Sequence, residues 1–188
     1  MMRQPPVLAV LFLTIARAAV AQQQEPVPEL LPPPPDTRPV DEDAIHLRRT
    51  MLNVHQGLGL GMFGLALANT VVGQLNYSDK FGSAANTGRY QLAHQITAYG
   101  TLAAFTATGL LAVFAPNPLP KSGGFDRTTL HKVAMFTAAA GMATEGVLGF
   151  YTAQREGYLD QHGLATAHLV IGYVTFAALS LGVGAIVF

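Results

Sequence analysis

Four long apolar stretches follow one another along the chain, at about Leu52–Tyr77, Tyr90–Phe114, Thr128–Thr152 and Gly163–Phe188. Each offers roughly the 20 apolar residues that a helix needs to cross a bilayer. The breaks between them carry turn chemistry: Asn76-Tyr77-Ser78-Asp79, then Pro116-Asn117-Pro118 with Gly123-Gly124, then Arg155-Glu156-Gly157. Short connections make sequential helices antiparallel. The pattern therefore predicts an all-α membrane protein, a four-helix transmembrane up-and-down bundle over residues 51–188.

The polar pattern ahead of the first span is different. Met1–Ala21 reads as a signal peptide: Arg3 supplies the positive start, Val7–Ala16 the short apolar core, and Ala19-Val20-Ala21 an A-x-A site. Residues 22–50 read as a Pro-rich and acidic linker. Pro32-Pro33-Pro34-Pro35 favours extended polyproline II, a spacer with no core to bury. Asp41-Glu42-Asp43 then offers a capped, acidic helix start that leads through Arg48-Arg49 into the first span.

Composition sharpens the membrane reading. The 188 residues are 50% hydrophobic and only 12% charged, against about 25% charged in ordinary soluble domains. Net charge is zero and no basic run points to nucleic acid. The chain contains no cysteine. Disulfides, thiolate metal sites, iron–sulfur clusters and thioether-attached haem are excluded.

Orientation draws on two conflicting signals. The side of the mature N-terminus, here the first side, carries Arg48, Arg49, Lys121, Arg127 and Lys132; the second side carries Lys80, Arg89 and Arg155. The positive-inside tendency would put the first side in the cytoplasm. A signal peptide puts it outside. The charge difference is small and Asp41, Asp43 and Asp126 dilute it, so the signal takes precedence. The expectation is an integral membrane protein of the cell inner or plasma membrane, with its mature N-terminus outside the cytoplasm.

The candidate chemistry lies in four histidines, one per span and each about one turn inside it: His55, His94, His131 and His168, at nearly equal intervals. Ionisable residues inside a membrane are expensive and usually functional. Alternate helices of the bundle start on the same side, so His55 and His131 belong to the first side and His94 and His168 to the second. Steps of three and four from His55 pass Gly59, Met62, Ala66, Asn69 and Gly73. From His131 they pass Met135, Ala138, Met142, Glu145 and Gly149. From His94 they pass Ala98, Thr101, Phe105 and Ala112, and from His168 Gly172, Thr175, Leu179 and Gly182. These stripes are small, soft or weakly polar. Their glycines are either room for a planar cofactor or ordinary helix contacts, such as Gly57-x-x-x-Gly61. The first hairpin looks repeated by the second. Asn69 follows His55 at the same interval as Glu145 follows His131, and Thr101 follows His94 as Thr175 follows His168.

Two pairs at separate depths suit two bis-histidine b-type haems. Two axial imidazoles leave no open position for oxygen, which favours electron transfer. A single zinc site would need all four ligands within a few ångströms. His94 should instead lie level with about Val71, which stands about 24 Å along the helix from His55. His46 and His162 read as exposed polar residues, with His162 the reserve ligand for His168. Glu145 and Asn69 are candidates to act on the axial rings. Glu145 is read as a hydrogen-bond acceptor for a ring, a proton relay, or a structural partner of Asn69.

Over about Leu52–Phe188 the chain resembles the cytochrome b561 family and its ferric-reductase branch. The resemblance rests on His55-Gln-Gly-Leu-Gly-Leu-Gly-Met-Phe-Gly, Tyr90-Gln-Leu-Ala-His94, Leu130-His131-Lys132 and His168-Leu-Val-Ile-Gly172-Tyr173. It implies a four-helix core in which the first and third helices share one haem and the second and fourth the other. The chain departs from the many six-helix members, and no ascorbate-binding motif is matched, although Lys121, Arg127 and Lys132 cluster on the first side. The expected function is transmembrane electron transfer between a donor and an acceptor on opposite sides. The partner would be a redox protein, a quinol or a small reductant. Membrane lipid surrounds the bundle, and a homo-oligomer or larger complex is compatible with it. The alternatives are a non-catalytic subunit of a larger complex and, last, a small transporter with Asn69, Glu145, Thr101 and Thr175 along its path.

Overall fold

The structure is a computed structural model, and it describes residues 41–82, 86–117 and 124–187. The signal peptide and Pro-rich linker readings lie outside the described residues. Four helices run in order: α1 (Glu42–Phe81), α2 (Gln91–Phe114), α3 (Arg127–Gln154) and α4 (Gln161–Val187). All four are long and apolar enough to cross a membrane, and no strand occurs among the described residues. Close backbone packing joins α1 to α2, α3 to α4 and, over a shorter length, α1 to α4.

Helix ends follow local chemistry. Asp41 caps α1, its carboxylate accepting from Ala44 N at 2.9 Å, and Asp126 caps α3 by accepting from Thr129 N at 2.7 Å. Each side chain satisfies a first-turn N–H that the helix itself leaves unpaired. Ala115 is extended (ψ 124°), the conformation that a following proline favours, and α2 ends there. Gly157 at φ 82° supplies the turn between α3 and α4. Gln161, buried at the start of α4, ties that turn down by donating to the Thr152 carbonyl at 3.2 Å and accepting from Gly157 N at 3.3 Å.

α1 is longer than its apolar stretch at both ends. It begins at Glu42, well before Leu52, so His55 lies several turns inside it rather than one turn from its start. At 1.5 Å per residue the 40 residues span about 60 Å, twice the hydrocarbon thickness. The overhang is fixed to the end of α2 by Arg48 Nη1, which donates to the Pro116 carbonyl at 2.7 Å. At the other end, Asn76–Asp79 stays helical although its composition reads as a break. Buried Asp79 explains the continuation. Its carboxylate accepts from Thr87 Oγ1 and from Gly88 N, both at 2.9 Å, so the loop folds back onto the last turn.

Burial follows the inward stripes. Met62, Ala66, Ala138 and Leu179 form the core, with Phe63, Phe105, Met135, Met142 and Phe176 packed against it. Leu58, Leu60, Leu67, Val71, Phe136, Phe150 and Val174 lie exposed on the outer faces. In water such a surface would be a liability; in lipid it needs no covering. The α2 stripe ends early: Thr108, on the same face, is buried, whereas Ala112 is exposed. Gly57 and Gly61 are exposed with nothing within 4 Å of an added Cβ among the described residues, so they are not points of close helix approach there. Close approach is made instead at Gly100, Gly141 and Gly182, where an added Cβ would meet Leu65, Thr175 and Met135 respectively.

Candidate functional site

The bundle brings the four histidines together in two pairs. His55 on α1 faces His131 on α3 with ring centres 6.1 Å apart and planes at 85°. His94 on α2 faces His168 on α4 at 6.0 Å and 65°. All four rings are partly buried. Among the described residues no group of three or more histidines and carboxylates gathers as a metal cluster.

The pairs lie at different depths. Gly73 packs against His94, its built Cβ 3.0 Å from Cε1; Gly149 packs against His168, its built Cβ 3.3 Å from Cε1. Gly73 shares α1 with His55, and Gly149 stands at the same distance beyond His131 on α3. The helical rise separates each glycine from its histidine by about 27 Å along the axis. The core of Met62, Ala66, Ala138 and Leu179 fills the interval. Four rings at these two levels cannot converge on a single ion.

At the first pair the second ring nitrogen is occupied on both residues. His55 Nδ1 lies 2.9 Å from the Thr108 carbonyl and His131 Nδ1 lies 2.8 Å from the Gly182 carbonyl. A carbonyl oxygen only accepts, so each Nδ1 carries the proton and donates it. Each ring then presents Nε2 as a lone pair. These contacts are related by the repeat. The register that matches His55 to His131 on α1 and α3 also matches Gly73 to Gly149. The register that matches Thr101 to Thr175 on α2 and α4 also matches Thr108 to Gly182 and His94 to His168. The hairpin correspondence expected from Asn69, Glu145, Thr101 and Thr175 therefore extends to the surroundings of the rings.

The second pair is less symmetric. Glu145 Oε2 stands 3.1 Å from His168 Nδ1, inside ion-pair range. The approach is not aligned as a hydrogen bond, and His168 Nδ1, Glu145 Oε1 and His94 Nδ1 are buried without a hydrogen-bond partner. Asn69, in the position corresponding to Glu145, is engaged elsewhere, its Oδ1 accepting from Thr97 Oγ1 at 2.9 Å. No bond links Asn69 to Glu145 among the described residues. Thr101 Oγ1 returns to the Thr97 carbonyl at 2.7 Å, whereas buried Thr175 Oγ1 has no partner.

A cavity of about 380 Å³ surrounds this pair. His94, His168, Gly73, Gly149, Asn69 and Glu145 line it, and it runs to a polar rim at Lys80 and Glu156. Its size is in the range of sites that hold small molecules and cofactors. Lys80 Nζ and Glu156 Oε1 pair at 2.6 Å on that rim.

The remaining histidines stand apart. His46 is exposed on the overhang of α1. His162 is exposed at the start of α4, where it stacks on Phe81 at 4.9 Å and lies 3.0 Å from Tyr77 Oη. Tyr77, Thr108 and the carbonyl of Gly182 are site residues that sequence reasoning missed as such. Backbone acceptors leave no side-chain signature. Comparison with family models, curated proteins and solved structures finds no match to this chain.

Proposed function

We propose that this chain is a transmembrane electron-transfer protein that holds two b-type haems, one between His55 and His131 and one between His94 and His168. The paired rings carry the reading. A metal–imidazole bond is about 2 Å, and the ring centre lies about 1 Å behind its nitrogen, so two imidazoles on opposite sides of one metal have centres about 6 Å apart. The observed separations are 6.1 and 6.0 Å.

Other features of the chain agree with it. Nδ1 protons held by the Thr108 and Gly182 carbonyls fix the tautomer a ligand needs and orient both rings. Gly73 and Gly149 let the second pair approach the backbone of the neighbouring helix. The unpartnered ring nitrogens and the cavity around them are features that a bound group would explain. Held by these two histidine pairs, such a group would supply one-electron transfer. The residues of this chain then act as a scaffold: they orient rings, exclude water between the two levels with Met62, Ala66, Ala138 and Leu179, and keep the levels apart.

In this reading the donor and acceptor approach from opposite faces of the membrane, with the mature N-terminus outside the cytoplasm. The donor is a redox protein, a quinol or a small reductant, and the acceptor is an oxidised partner on the other side. The arrangement agrees with a b561-like core.

Single alanine substitutions test the pairing. His55→Ala and His131→Ala should each remove the same haem, and His94→Ala and His168→Ala the other, read as two distinct losses in reduced-minus-oxidised spectra. Four variants with wild-type haem would defeat the ligand assignment.

A further inference from the structure

The two hairpins repeat at the rings but differ beside them. In the register that matches His55 to His131, the repeat exchanges an amide for an acid, Asn69 for Glu145. In the register that matches His94 to His168, on the helix facing each, it exchanges Ala98 for Gly172. The second exchange makes room for the first. A Cβ built on Gly172 would stand 3.1 Å from Glu145 Oε2, tighter than an ordinary contact. The half of the bundle that carries the acid thus also carries the glycine that admits it. Glu145 is partly buried, with a side-chain exposure of 22%, and Oε2 lies 3.1 Å from His168 Nδ1. Beside His94 the equivalent side chain is turned elsewhere: Asn69 Oδ1 accepts from Thr97 Oγ1.

From this asymmetry we infer that Glu145 is a positioning residue for His168 that lowers the reduction potential of the second-side iron below that of the first. The inference rests on the haem reading above. At the first pair both Nδ1 protons go to neutral backbone carbonyls, Thr108 and Gly182. At the second, one ring faces a carboxylate. A carboxylate acceptor makes the imidazole a more basic ligand than a carbonyl does. A negative group in a poorly screened site also stabilises the more positive, oxidised iron. Both effects act in the same direction.

Optical redox titration of the purified full-length protein reads this directly. Wild type should show two midpoints, and a His55→Ala background, which keeps only the second pair, assigns the lower one to His94 and His168. Glu145→Gln should raise that midpoint by a roughly tenfold change in the oxidised-to-reduced ratio at fixed potential, about 59 mV for one electron. The other midpoint should stay in place. Gly172→Ala, which keeps the acid but crowds it away from the ring, should move the same midpoint the same way by a smaller amount. This variant carries the test if Glu145→Gln does not fold. A two-haem wild type whose midpoints are unmoved by the substitution overturns the inference and leaves the proposed function standing. A wild type without haem removes both.

Discussion

His94 rests on Gly73 so closely that a methyl group at residue 73 would stand 3.0 Å from its Cε1. His168 repeats the relationship with Gly149 at 3.3 Å. The glycines lie on α1 and α3, while the histidines lie on α2 and α4. Each hairpin therefore seats its own second-side ring against its own backbone. On the proposed function, Gly73→Leu or Gly149→Leu should displace that ring and abolish haem binding at the second pair while sparing the first. The expected haem content falls from two to one per chain. Gly57→Leu is the control, because nothing lies within 4 Å of a Cβ at that exposed position. It should leave haem content unchanged and raise stability by up to about 1 kcal/mol, because a glycine is removed from a helix interior.

Of the described glycines on α3 and α4, Gly141 leaves the least room for a side chain. Its built Cβ would collide with Thr175 Oγ1 and stand 3.0 Å from Thr175 Cβ. A β-branched side chain on a helix has little rotamer freedom with which to yield. Gly141→Ala should therefore destabilise the bundle by about 1–3 kcal/mol, as overpacking usually does. Thr175→Ala alone should be close to neutral, because Oγ1 is already buried without a partner. Combined, the two changes should recover part of the loss. Thermal denaturation of the four proteins in detergent, treated as a double-mutant cycle, measures the coupling.

Asp126 predicts a pH response outside the membrane span. The backbone N–H of Thr129 beside its carboxylate, helped by the Thr129 hydroxyl, holds its pKa below the ordinary value of 3.8. A carboxyl group that is more acidic when folded stabilises the folded state above its unfolded value. That contribution is lost as the pH falls through the lowered folded value. Asp126→Ala should thus lower the thermal midpoint at pH 7, and the difference from wild type should shrink as the pH is taken well below 3.8. A difference that is constant across that range would contradict the cap.

The four helices and the pairing of their histidines were legible in the sequence because lipid imposes a simple code. Every span is apolar outside, and a histidine on the inward stripe stands out. The start of α1 was legible by another code: Asp41-Glu42-Asp43 reads as a capped, acidic helix start, and α1 begins at Glu42 with Asp41 as its cap. The far end of α1 was not legible. Asn76–Asp79 has turn composition, yet it stays helical, and the loop that follows folds back to hydrogen-bond the Asp79 carboxylate. Thr108 stands three residues after Phe105 and four before Ala112, on the same stripe, and was passed over; Ala112 lies near the end of α2 and is exposed. The carbonyls that hold His55 and His131 belong to the backbone and carry no residue signature. Gly73 and Gly149 were visible on inward stripes, but the rings they support lie on other helices.

Whether each facing histidine pair holds one haem is tested most directly by the haem-to-polypeptide ratio of the purified, folded protein. Two non-covalent b-type haems per chain are predicted, both six-coordinate when oxidised and when reduced. A folded protein that contains none, and takes up none when haem is supplied, would contradict the assignment of all four histidines.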